Sequence, residues 1–231
     1  MNVQIFADGS NKSEIFDLYE NNSIVTGFTT NPSLMKKSGV KDYISFIKDI
    51  TNHIKDRSIS FEVFADTYED MLYQSYKIAE CGENICVKIP ITNTKGVYTL
   101  DVIEKLIGEN IKVNITAVFT HEQIDQLKRI LPIGKHNIVS IFAGRISDTG
   151  RNPIPYIEYG INQLKDQSSV LWASTRHVYN IYEANEIGCD IITVTPDQIK
   201  KLELYNKDLK DYSLETVKMF YDDAKSSGFT L

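Results

Sequence analysis

Cysteine is scarce in this chain. Three residues, Cys81, Cys86 and Cys189, are spread over 231 positions, with no C-x-x-C pair. An odd, unpaired set excludes a disulfide-stapled framework and fits a reducing compartment, so a cytoplasmic protein is expected. Histidine is also sparse. His53, His121, His136 and His177 stand at no metal-ligand spacing from a cysteine or from one another, and no zinc centre is expected. No apolar run exceeds the length of a strand, so no membrane-spanning helix is expected. The opening residues MNVQIFADGS lack both the charged and the apolar region of a secretory signal. Basic residues number 25 against 31 acidic ones, for a net charge of −6 with no basic patch, which argues against nucleic acid as a partner. Low-complexity tracts, long linkers and internal repeats are absent from the pattern.

What the chain does have is alternation. Strands are predicted at Val3–Ala7, Ile24–Phe28, Ile59–Phe64, Ile85–Ile89, Lys112–Ala117, Asn137–Phe142, Val170–Ser174 and Asp190–Val194. Helices are predicted between them at 12–21, 40–55, 67–81, 95–108, 121–131, 153–166, 177–187 and 196–204, with a last one at 213–226. The helical period is clearest where Val40, Tyr43, Ile44, Ile47, Ile50 and Ile54 recur along one face. Thr67 followed by Glu69 and Asp70 marks a helix start, and Gly82 a stop. Eight βα units in this length predict a (β/α)8 barrel over residues 1–210, with 211–231 as an additional C-terminal helical extension. An open doubly wound sheet is the alternative, but no GxGxxG follows the first strand.

The stretch Ile85-Cys86-Val87-Lys88-Ile89-Pro90-Ile91 carries the chemistry. Alternation turns Ile85, Val87 and Ile89 one way and Cys86 and Lys88 the other. A buried ammonium is costly, so Lys88 either pairs with a carboxylate or becomes a neutral amine, a nucleophile toward carbonyls. An ion-paired or edge lysine remains open on this strand alone. The other strands add to the picture. Asp8 shares a face with Phe6, Glu62 opposes Phe61 and Val63, Asn114 aligns with Thr116, Ser140 with Phe142, and Trp172 with Ser174. A barrel with Asp8, Glu62, Lys88, Asn114, Thr116 and Ser140 inside holds polar groups where structural barrels hold Val, Ile and Leu, which marks a functional site.

The blocks GFTTNPSL (27–34), EVFA (62–65), VKIP (87–90), NITAVFT (114–120), IFAGRISDTG (141–150) and ASTR (173–176) come in an order and spacing that resembles the transaldolase family, in particular its short single-barrel members and the related fructose-6-phosphate aldolases. The resemblance runs from Asp8 to about Pro196. It implies a (β/α)8 barrel and a metal-free, cofactor-free class I mechanism on phosphorylated sugars. By it, Lys88 matches the Schiff-base lysine and Asp8 the group that handles protons at the C4 hydroxyl. Glu62 and Thr116 match the pair that holds a catalytic water. Thr29, Asn31, Asn114, Ser140 and Phe142 fall among substrate contacts, although Asn31 before Pro32 also suits turn initiation. Arg145, Ser174 and Arg176 match the phosphate site, and guanidinium forks suit that ligand. Ala143 and Thr175 depart from the commonest family residues, and Arg151 has no assigned role.

The resemblance leaves transfer and lysis to be separated. The aldolases typically carry glutamine, tyrosine and lysine where this chain has Glu62, Phe142 and Arg176, and they lack the asparagine that stands here at Asn114. All four differences favour a transaldolase over a lyase. A transaldolase-like enzyme of a specialised sugar pathway keeps the same residues. A catalytically silent sugar-phosphate binder would have lost Lys88 or the carboxylates. Short family members form pentamers or decamers, so a homo-oligomer is expected. In that expectation the last helix, with Leu214, Val217, Met219, Phe220 and Ala224 largely on one side and Phe229 beyond, joins neighbouring subunits.

Overall fold

The computed structural model describes residues 1–134 and 136–230. Eight parallel strands close on themselves in sequence order. They are β1 (Gln4–Asp8), β2 (Val25–Thr29), β3 (Ser58–Glu62), β4 (Ile85–Pro90), β5 (Val113–Val118), β6 (Asn137–Ile141), β7 (Ser168–Trp172) and β8 (Ile191–Val194). Pairing of β1 with β8, Gln4 opposite Ile191 through Ala7 opposite Val194, shuts the barrel and rules out the open sheet. The helices are α1 (Lys12–Asn21), α2 (Pro32–Lys37), α3 (Tyr43–His53), α4 (Tyr68–Ala79), α5 (Leu100–Gly108), α6 (His121–Ile130), α7 (Ala143–Asp148), α8 (Ile154–Leu164), α9 (Tyr179–Glu186), α10 (Pro196–Lys200) and α11 (Leu209–Ser226). None among the described residues is long and apolar enough to cross a membrane.

Local chemistry sets the boundaries. Asp42 caps α3 through the backbone N–H of Ser45, so the helix opens at Tyr43 and not at Val40. Residues 92–98 form a small antiparallel bridge, Thr92 opposite Tyr98, with Gly96 at φ +77°, which delays α5 to Leu100. Thr120 and Gln123 close a reciprocal capping box on α6. Two short helices, α2 and α7, were not predicted. Asn31 accepts from Leu34 N and Pro32 occupies the first turn, so the Asn-Pro pair starts a helix and not only a turn. Helix α7 has six residues and a glycine at its second, too few for a periodic signal.

The barrel has two apolar layers. Outside the strands, residues such as Ile47, Ile50, Ile89, Ile103, Ile115 and Ile141 are completely buried against the helices. Inside, Phe6, Cys86, Ile138, Leu171, Ala173 and Ile191 form a plug, with Phe142 packed on it. Gly27 makes room for that plug: a Cβ there would lie 2.6 Å from the Phe6 ring. The membership of the plug corrects one expectation. Leu171 on β7 and Ala173 just beyond it face inward, so Trp172 between them faces the helical shell. Ser174 still reaches the barrel mouth because its φ of +64° breaks the alternation.

The chain divides into a unit of Met1–Ile199 and a second of Lys200–Leu231. The second holds a 3-10 turn, Lys201–Leu204, and α11, capped by Asp208 through the N–H groups of Lys210 and Asp211. Within this unit no α11 side chain is buried, and Leu214, Val217, Phe220 and Tyr221 are all exposed.

Candidate active site

A cavity of about 540 Å³ opens at the C-terminal ends of the strands. Lys88 reaches it from β4 as a buried side chain, 6% exposed. Parallel register places its partners: Glu62 stands opposite Lys88 on β3, and Asn114 opposite it on β5. Lys88 Nζ lies 3.3 Å from Glu62 Oε2 and donates to Thr30 O at 2.9 Å. The remaining carboxylate, Asp8, lies at the end of β1 and lines the same cavity. Thr29 donates to Asp8 Oδ1 at 2.7 Å. That fixes the next link: with its own proton on Asp8, Thr29 Oγ1 accepts from Thr193 Oγ1 at 2.6 Å.

The surrounding polar groups hold these side chains in place. Tyr43 of α3 donates to Glu62 O at 2.8 Å and accepts from Glu62 N at 2.9 Å, which locks the glutamate backbone. Burial and the nearby carboxylate hold the Tyr43 phenol above its ordinary value, so it stays a neutral donor. Asn114 is fully buried and is consumed by structure: it donates to Ser60 Oγ at 3.0 Å and accepts from Ser140 Oγ at 2.7 Å. It does not line the cavity, whereas Ser140 does. The Thr116 hydroxyl is buried at the cavity wall and, among the described residues, has no hydrogen-bond partner. Asn31 lines the cavity as well as capping α2.

At the other end of the cavity lie Arg145, on α7, and Ser174 and Arg176, beyond β7. The two elements touch through Gly144, whose added Cβ would fall 1.6 Å from Ser174 O. Asp148, the last residue of α7, grips Arg176, with Nε donating to Oδ1 at 3.1 Å and Nη2 paired with Oδ2. Positive φ at Ala117 (+58°) and Ser174 (+64°) stores backbone strain on the rim, on the order of 1 kcal/mol each. Thr175 donates to Thr193 O at 2.5 Å, a bond an aromatic side chain at that position could not make. Arg151 stays outside the cavity, exposed, and donates to Thr149 Oγ1.

The cavity thus collects Asp8, Thr29, Asn31, Glu62, Lys88, Thr116, Ser140, Phe142, Arg145, Ser174 and Arg176, and leaves Asn114 as a bracket beneath it. Sequence reasoning missed Thr193, Gln198, Asp148 and Tyr43. Thr193 was reachable by extending the strand alternation to β8, two residues on from Ile191. The others depend on tertiary contacts. A larger cavity, about 850 Å³, shares Asp8, Leu34 and Thr195 with this one but holds neither Lys88 nor Glu62. The described residues contain no cluster of three His, Cys, Asp or Glu able to hold a metal ion.

A family model described as transaldolase/fructose-6-phosphate aldolase matches residues 5–231. The chain belongs to this family. A "probable transaldolase" of Brucella ovis is 35% identical over 218 residues, covering 93% of this chain and 94% of that protein. Another of that name, from a Thermoanaerobacter species, is 32% identical over 99% of this chain and 100% of its own length. Among solved structures, KGPDC from Streptococcus mutans superposes with a TM-score of 0.57 at 11% identity, over 84% of this chain and 88% of that one, a likeness of fold alone. The transaldolase/aldolase family therefore accounts for an enzyme on this barrel, with the motif blocks falling around one cavity.

Asp8 generates a pH test. The residue is partly open to the cavity, but its carboxyl is enclosed by protein. That desolvation raises its pKa above the ordinary carboxylate value, against the opposing pull of Lys88 and Thr29. A raised carboxyl costs stability as pH climbs: nothing below the unfolded pKa, an increasing amount up to the folded pKa, and a constant amount above it. Asp8→Asn removes the ionisation. The variant should melt above the parent at about pH 7 and lose that advantage as pH falls below the ordinary carboxylate pKa of roughly 3.9. Thermal melts across this range check it; an advantage that grows on acidification contradicts it.

Proposed function

We propose that the protein is a transaldolase that moves a dihydroxyacetone unit from a ketose phosphate, fructose 6-phosphate or sedoheptulose 7-phosphate, to an aldose phosphate such as erythrose 4-phosphate, through a Schiff base on Lys88. The observation that carries this reading is the buried Lys88 amine, set by strand register beside Glu62 and sharing its cavity with Asp8. Glu62 takes a proton from the Lys88 ammonium it pairs with, the freed amine attacks the C2 carbonyl of the ketose, and return of that proton to the carbinolamine hydroxyl expels water and leaves a protonated imine. Asp8 takes the proton of the C4 hydroxyl, the C3–C4 bond breaks, and the imine receives the electron pair as an enamine. The released aldose departs, the enamine carbon adds to the acceptor aldehyde while Asp8 returns its proton to the aldehyde oxygen, and water adds to the re-formed imine to free the lysine.

The water steps fall to Glu62 and Thr116. A carboxylate can move the proton, and the unpaired Thr116 hydroxyl suits a water held between them. Thr29, Asn31 and Ser140 are donors for the sugar hydroxyls, and Asn114 acts by fixing Ser140. Arg145, Ser174 and Arg176 receive the phosphate, at the rim where late-strand loops of barrels hold such groups. Since the imine serves as electron sink, the reaction needs no metal and no organic cofactor. Three free thiols, two of them buried, suit a cytoplasmic setting.

Transfer requires that the enamine await an acceptor. Phe142 packs its ring 5.6 Å from that of Phe119 and brings no hydroxyl that could assist water. Phe142→Tyr should raise release of free dihydroxyacetone from fructose 6-phosphate and lower transfer to erythrose 4-phosphate, by about tenfold or roughly 1.4 kcal/mol of barrier. Glu62→Gln should push the same way. Both products are measured with and without acceptor, with EDTA present throughout. An unmutated protein that releases dihydroxyacetone as fast as it transfers it is a fructose-6-phosphate aldolase-like lyase instead.

We also propose that the extension 211–231 joins subunits of a pentamer or decamer. Its support is the apolar set Leu214, Val217 and Phe220, exposed within their own unit. Truncation after Lys210 should reduce the mass found by light scattering from that of an oligomer to a smaller species; the same monomeric mass in both forms overturns it.

A further inference from the structure

Behind the arginines at one end of the cavity stands a carboxylate, outside the cavity lining, that phosphate recognition would not call for. Asp148 holds Arg176 side-on, through Nε and Nη2. A guanidinium has five N–H donors in a rigid fork. Side-on pairing takes the Nε proton and one Nη2 proton. It leaves one Nη1 proton and the second Nη2 proton on the end-on edge, where a phosphate can be bound bidentately, with the other Nη1 proton on the Cδ side. The carboxylate therefore fills one edge of the fork and leaves the other for the ligand.

The surroundings fix both partners. The backbone N–H of Arg176 donates to Asn180 Oδ1 at 3.1 Å. Asp148 ends the helix that also carries Arg145, and Gly144 seats that helix directly against Ser174 O. One short helix thus supplies one arginine of the site and orients the other. The pair contributes little to stability, since its side chains are 43% and 56% exposed and exposed ion pairs are weak. Its consequence lies in restricting the Arg176 rotamers before the ligand arrives.

We propose that Asp148 is a positioning residue that holds Arg176 with its end-on edge toward the substrate phosphate, and so sets the preference for phosphorylated over unphosphorylated ketoses. This rests on the assignment of Arg176 to the phosphate site. An arginine left free must be ordered when substrate binds, and that cost appears in binding of the phosphorylated donor. The opposite effect is repulsion between Asp148 and the phosphate, which would make its removal favourable.

The test is the ratio of kcat/KM for fructose 6-phosphate to that for fructose, each with erythrose 4-phosphate as acceptor. A ratio cancels losses of folded protein. Asp148→Asn should lower it by about threefold to tenfold, through KM for the phosphorylated donor more than through kcat. Arg176→Gln should lower it further, and adding Asp148→Asn to Arg176→Gln should change nothing more. A ratio that is unchanged or raised in Asp148→Asn, while Arg176→Gln lowers it, overturns the proposal. So does an equal loss from Asp148→Asn in both backgrounds. If Arg176→Gln itself leaves the ratio unchanged, the phosphate assignment fails, and this proposal with it.

Discussion

An amine in a barrel interior is the constraint to which the rest of this structure answers. Lys88 sits in a barrel whose apolar interior is built from Phe6, Cys86, Ile138 and Leu171. Burying its charge without partners would cost several kcal/mol. Register between neighbouring strands solves this before any loop is placed, because Glu62 is opposite Lys88 on β3 and their closest atoms are 3.3 Å apart. Thr30 O accepts a hydrogen bond from Lys88 Nζ. The outer groups answer to the same need: Tyr43 clamps the Glu62 backbone from α3, and Asn114 ties β3 to β6 through two serines. Each keeps a polar atom satisfied and a side chain aimed, which is the condition for a polar network to survive in a core.

Function and stability are divided along the barrel axis. The plug, with Leu171 and Ala173 reaching the cavity floor, is apolar and close-packed, to the point that Gly27 leaves no space for a methyl group beside Phe6. The upper end carries the polar side chains, the strained Ala117 and Ser174, and the short helices α2 and α7. Strain on the rim is tolerable because the plug and the outer helical layer hold the strands. The rim can then present groups at angles that regular strands do not allow. Ser174 is the case in point, since regular alternation would have turned it toward the helices with Trp172.

The strands and the long helices were legible in the sequence because their signals are local: alternation over five residues, a 3.6-residue period over ten or more, a cap at the start. So was most of the cavity, since inward parity put Asp8, Glu62, Lys88 and Ser140 together and the motif blocks added the arginines. The losses were of another kind. Helices α2 and α7 are too short for a period. On β7, Trp172 is apolar enough for either face, and the positive φ of Ser174 cuts the link between parity and direction. Asn114 reads as a ligand contact until Ser60 and Ser140 are seen to occupy its amide. Tyr43 reads as one apolar position of α3, and only the packing of that helix on β3 reveals its hydroxyl at Glu62.

The central claim is that Lys88 forms a covalent imine with the dihydroxyacetone unit. The most direct measurement is borohydride reduction of the protein with fructose 6-phosphate and no acceptor, followed by peptide mass spectrometry. The account predicts a single adduct, with the mass of the reduced dihydroxyacetone unit, on the peptide containing Lys88, and none in a folded Lys88→Met variant. An adduct on a different lysine, or turnover with no adduct at all, would contradict it.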